Sequence, residues 1–230
     1  MKFVSFAVIM QLLRDRTLFI EEINRSKSLD RKILSLLVCS SLFFALYGAI
    51  IGSIHGWLQM FSSAFKLPAL YLITLLICLP TLYFLDIIFG SKKTFSQYVT
   101  LLLASMSLIS VMLFGFAPVS LFFRLSINDY IFFLLVNLTV LSITGIIGVR
   151  FFYQGMLSII PDETASESLK NRKRLIQCWL LLYGFVGSQL GWTLRPFFGT
   201  PDRPFALYRD IESNFYVQVL KIIGNVLGLN

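Results

Sequence analysis

Residues 97–123 read QYVTLLLASMSLISVMLFGFAPVSLFF, without a single charged side chain. An α-helix rises 1.5 Å per residue, so this stretch covers about 40 Å and exceeds the hydrocarbon core of a bilayer, which is about 30 Å thick. Comparable apolar runs fill residues 33–54, 68–90, 129–153 and 175–194. Runs of that length predict an all-α fold: a polytopic transmembrane helix bundle of about five spans.

Composition sets the same bound. Hydrophobic residues make up 57% of the chain, charged residues only 14%, and the mean hydropathy is +0.78. Soluble domains run nearer about 45–50% apolar and about 25% charged. A chain of 230 residues has room for one membrane domain with short connections and none for a separate soluble enzyme domain. Three segments follow: an amphipathic N-terminal segment (1–32), a five-span membrane domain (33–195), and an aromatic, arginine-containing C-terminal cap with an amphipathic helix (196–230).

The net charge of +8 could suggest a nucleic-acid partner, but the basic residues gather beside the apolar runs. With the N-terminus cytoplasmic, the inner segments hold 14 of the 20 lysines and arginines, from Lys2 to Lys32, at Lys92 and Lys93, and from Arg150 to Arg174. Positive-inside bias therefore favours an N-inside orientation, and the compact layout suits a bacterial cytoplasmic membrane. That distribution argues against a nucleic-acid partner, and none is expected. Met1 to Leu13 has one flanking charge and no small-x-small site, so it reads as an uncleaved interfacial or bundle-docked helix. Arg14 to Lys32 mixes both charge signs around Leu18, Phe19, Ile20 and Ile23, which predicts an amphipathic helix at the cytoplasmic surface.

Small residues recur where helices would meet. Gly48, Gly52 and Gly56 follow at steps of four, Gly187 and Gly191 repeat the spacing, and Gly145 and Gly148 lie three apart. Such faces let backbones approach closely, so they are expected to pack inside the protomer or to form a dimer. His55 to Lys66 places Trp57, Phe61 and Phe65 beside polar residues and reads as an interfacial segment ahead of the second span. Pro80 is expected to kink that span, and Gly115 to Pro118 to bend or break the third.

Polar groups at membrane depth are costly and tend to serve a task. Asp86, Asn137 and Gln189 are the candidates within the spans, with Trp192 and Arg195 at the exit of the last. Asp86 could be satisfied by water, by Lys92 or Lys93, or by an ion or partner. Asn137, Thr139, Ser142 and Thr144 suit bonds across helices. Trp192 suits the headgroup level, and Arg195 can snorkel to the surface. From Ala206 to Leu227 the pattern predicts an amphipathic helix lying in the interface.

Catalytic arrangements are missing. The lone His55 has no carboxylate or nucleophile at a recognisable spacing, and Asp86 has no acidic mate in any span. Cys39, Cys78 and Cys178 fall in three different spans, which fits neither a disulfide framework nor a zinc site. The expectation is a non-enzyme with no metal and no cofactor.

The element order resembles the Yip-domain family of five-span membrane proteins, across roughly residues 13–195. The resemblance lies in the charged segment Leu13 to Ile23, the glycine-containing Tyr47 to Gly52, the stretch Lys66-Leu67-Pro68-Ala69-Leu70-Tyr71, and Gly115-Phe116-Ala117-Pro118. It implies a membrane scaffold, assembly protein or trafficking-type adaptor, whose partners are membrane lipids and either another protein or a second copy. The alternative is a small channel or permease lined by polar residues of spans four and five, with Asp86 near its inner mouth.

Overall fold

The computed structural model describes residues 6–91, 93–127, 129–158, 166–199 and 204–208, and every regular element among them is an α-helix. The order is α1 (Phe6–Arg14), α2 (Arg16–Asn24), α3 (Leu29–Gly52), α4 (Trp57–Ile88), α5 (Phe95–Ser126), α6 (Tyr130–Leu157) and α7 (Ser166–Thr193). Four of these, α3 to α6, are long and apolar enough to cross a membrane. Helix α7 has the length, but Lys170, Arg172, Lys173 and Arg174 crowd its first half, and Gln177, Ser188 and Gln189 dilute the rest. The C-terminal helix expected over Ala206 to Leu227 lies largely outside the described residues.

Helix starts follow local chemistry. Asp129 accepts the free amides of Ile131 and Phe132 ahead of α6, and Thr94 with Gln97 forms a capping box ahead of α5. Both satisfy donors that a first turn leaves open. Pro68 and Pro80 lie inside α4 and Pro118 inside α5, yet both helices run on through them. Each proline deletes a single backbone donor, and the turns on either side keep theirs, so the break expected near Gly115 to Pro118 does not occur.

The helices pack in the order α7, α4, α3, α5, α6, with α1 and α2 laid across α3 and α5. α5 is the most enclosed: 67% of its apolar window is buried, against 28% for α6 at the edge. The α3–α4 contact is closest at the glycines. A Cβ on Gly52 would lie 2.5 Å from the Gln59 carbonyl oxygen and 2.8 Å from Ser63 Oγ, and one on Gly48 would collide with the Ser63 carbonyl. Gly56, at φ +133°, starts α4 in a conformation that L side chains rarely adopt.

Burial is inverted relative to a soluble protein. Along the first turns of α4, Gln59, Ser62, Ser63 and Lys66 face inward, while Trp57, Leu58, Phe61 and Phe65 face out. Large apolar side chains are likewise exposed along α6 (Ile131, Leu135, Leu138, Ile146) and α7 (Leu181, Phe185). An exterior this apolar is more than a monomeric soluble protein presents.

Candidate functional site

Two clusters of buried polar groups close the bundle, one at each end, and a third ties its middle. At the first end, Asp86 ends α4 fully buried and receives a two-pronged contact from Arg172 of α7, Nε to Oδ1 at 3.0 Å and Nη2 to Oδ2 at 2.9 Å. Tyr98 of α5 donates its hydroxyl to the same carboxylate. Ser91 joins both partners, 2.7 Å from the Tyr98 hydroxyl and 3.3 Å from Arg172 Nη2. The planar guanidinium fork matches a carboxylate, which is why arginine suits this buried position. Beside it the Lys93 ammonium has no hydrogen-bond partner among the described residues. Burial first, and then the positive Arg172, push its pKa down to about 7, with Asp86 opposing.

The N-terminal helices are fastened to this end rather than lying loose on a surface. Ile9, Leu12, Phe19 and Ile23 are fully buried. Glu22 accepts Lys32 Nζ at 2.8 Å, Gln11 Nε2 at 2.9 Å and Lys27 Nζ at 3.4 Å, so one carboxylate joins α1, α2 and α3. The Lys32 hydrogen bond above all holds the Glu22 carboxyl down to about 2. Gln97 of α5 donates to the Ile23 and Asn24 carbonyls, both at 3.0 Å, which stoppers the C-terminus of α2.

In the middle, the Tyr47 hydroxyl of α3 donates to Asn137 Oδ1 of α6 at 2.8 Å, and Ser120 of α5 lies 3.4 Å from it. Asn137 returns its amide to the Phe133 carbonyl. Thr139, Ser142 and Thr144 bond back to carbonyls one turn earlier on α6, so they bridge no helices.

At the second end the chain leaves α7 and folds over α4 and the start of α6. Gln59 Nε2 donates to the Pro196 carbonyl at 2.8 Å and to that of Phe197 at 3.3 Å, and Ser63 donates to Phe197 as well. Lys66 Nζ donates to the carbonyls of Pro196, at 3.3 Å, and Leu207, and lies 4.8 Å from the Tyr208 ring centre. The Tyr130 hydroxyl reaches the Gly199 carbonyl at 2.6 Å. Arg195 lies over the Trp192 ring, 3.5 Å from its centre.

The other sequence candidates are dispersed. Gly148 meets the Ile109 side chain and Gly187 lies 3.6 Å from Thr74, whereas no described residue comes within 4 Å of a Cβ built on Gly145 or Gly191. Gly48, Gly52, Gly148 and Gly187 thus meet residues of other helices rather than one another. Gln189 is half-buried on α7, where its carbonyl accepts the Thr193 hydroxyl. The three cysteines are free, and the described residues contain no group of three metal-ligating side chains.

Sequence reasoning missed Arg172, Tyr98, Gln59, Ser63 and Lys66. Arg172 was hidden in a basic run that reads as a topology anchor. The α4 residues carried a usable signal: Gln59, Ser62, Ser63 and Lys66 recur at helical spacing, opposite Leu58, Phe61 and Phe65.

Length, composition and apolar exterior together define an integral membrane protein built as a multi-pass helix bundle. Comparison with known proteins adds no relative: no family model, curated protein or solved structure matches the chain.

Proposed function

We propose that this chain is a non-catalytic membrane scaffold or assembly protein, of the trafficking-adaptor type that the Yip-like resemblance implies, and that it engages a protein partner or a second copy through outward helix faces. The observation that carries this reading is the position of Gly145 and Gly191. Both are open to a helix from outside, while Gly48, Gly52 and Gly148 are consumed inside. The spending of Asp86 and Asn137 on internal bonds also favours a structural role over chemistry.

We further infer five crossings, with the N-terminus in the cytoplasm of a bacterial cell. A crossing by α7 is supported by its course along α4: Arg172 meets Asp86 at one end, and Phe197, just past α7, meets Ser63 at the other. The two α4 residues lie about 35 Å apart along the axis, which is a membrane thickness.

Purification in mild detergent is expected to bring down a defined oligomer or a stoichiometric protein partner, and Gly145→Ile with Gly191→Ile to abolish it while the fold survives. A monodisperse, partnerless monomer overturns the proposal. Protease access to a C-terminal tag in oriented vesicles tests the span number separately, since five crossings put that tag outside.

A further inference from the structure

Along one flank of α4 runs an open cleft of about 360 Å³ whose walls include Leu58, Phe61, Phe65, Leu207 and Tyr208. Its mouth lies on the apolar exterior, where Leu58, Phe61 and Phe65 are 59–77% exposed. Two polar side chains line the floor, and both are more than nine-tenths buried. Lys66, 5% exposed, donates only to neutral carbonyls, and no carboxylate among the described residues lies within ion-pair distance. Ser62, 8% exposed, has a hydroxyl with no hydrogen-bond partner among the described residues. A buried cation without a counter-charge and a buried hydroxyl without a bond are both costly, and a bound anion would relieve both at once.

Depth decides what kind of anion. The apolar run from Pro68 to Ile88 rises about 30 Å, the thickness of the hydrocarbon core, so Lys66 stands where that core meets the headgroups. We propose that the cleft is a binding site for a membrane lipid with an anionic phosphate headgroup, its phosphate set against Lys66 and Ser62 and its acyl chain laid along Leu58, Phe61 and Phe65. Lys66 supplies the charge, and the Ser62 hydroxyl donates a second bond to a phosphate oxygen. The apolar walls take the tail, which a free anion lacks.

Native mass spectrometry and thermal unfolding of the full chain, titrated with phosphatidylglycerol or with phosphatidylcholine of the same acyl chains, test this. Phosphatidylglycerol is expected to be retained one per chain and to raise the unfolding temperature, with phosphatidylcholine markedly weaker. Lys66→Met should weaken retention about tenfold or more, because it removes a charge-assisted bond, and Ser62→Val by about threefold to tenfold. Because the Ser62 hydroxyl bonds no described residue, Ser62→Val decides the matter even where Lys66→Met loosens the C-terminal segment. Equal retention of the two lipids, or wild-type retention by Ser62→Val, overturns the proposal. So does equal stabilisation by inorganic phosphate alone, or a dimer that closes over Leu58 and excludes lipid.

Discussion

Each end of α4 holds a buried cation against it, Arg172 at one and Lys66 at the other, and the two are treated in opposite ways. At the Asp86 end, Arg172 is neutralised by a carboxylate that grips both prongs of the guanidinium. At the Lys66 end, the ammonium rests on backbone carbonyls and an aromatic face, and no carboxylate among the described residues compensates its charge. One end is therefore a closed electrostatic lock, in which each partner is harmful without the other. The opposite end is a clasp made of main-chain acceptors, which tolerates loss of single bonds and leaves charge to spare.

The lock should break hardest. Asp86→Ala strands Arg172 next to Lys93 and is expected to cost about 3–5 kcal/mol in detergent unfolding experiments. The double variant Asp86→Leu with Arg172→Met should recover most of that; a double variant as unstable as the single one would show that Asp86 acts otherwise than through Arg172. The clasp should yield less. Gln59→Leu forfeits the bonds to Pro196 and Phe197 and is expected to cost about 1–3 kcal/mol, with faster proteolysis after residue 195 as a second readout.

Titration separates the locked end further. Lys93 is held at about 7 in the fold against 10.5 when free, so the unfolded chain binds more protons across that window. Stability should rise as pH rises from about 7 towards 10.5, and Lys93→Met should flatten the rise. Glu22 has the opposite device: its carboxyl, normally near 4.5, is held at about 2, so its contribution is complete above 4.5 and is lost as pH falls through that range. Lys32→Met should remove most of that acid sensitivity. The smallest effect belongs to Gly145→Ala, within about 0.5 kcal/mol of the parent because nothing lies near the added methyl, whereas Gly48→Ala must displace the Ser63 backbone.

What could be read from sequence was set by hydropathy and helical period. The apolar runs locate α3, α5 and α6 closely, because a long uncharged stretch has few alternatives in lipid. Gly48 and Gly52 mark a close contact legibly, though not with which helix. The start of α4 was misplaced because Gln59, Ser62, Ser63 and Lys66 depress hydropathy over the turns where they point inward. Arg14 to Lys32 reads as one amphipathic surface helix, but it breaks at Arg25 to Ser28, and its apolar side, Phe19 and Ile23, is fully buried. Least legible was the second end, since its acceptors are the carbonyls of Pro196, Phe197, Gly199 and Leu207, and every residue type carries a carbonyl.

Helix α7 is stitched to α4 at three heights: Arg172 to Asp86, the Trp179 indole to the Cys78 carbonyl at 3.0 Å, and the residues past its end to Gln59 and Ser63. Its own hydropathy is the weakest of the long helices, and its arginine is welcome only where a carboxylate already waits. During synthesis, then, α7 is a late arrival that needs α4 as its template. A nascent chain that had not yet reached residue 166 would hold Asp86 with the Tyr98 hydroxyl but without the Arg172 guanidinium that balances its charge.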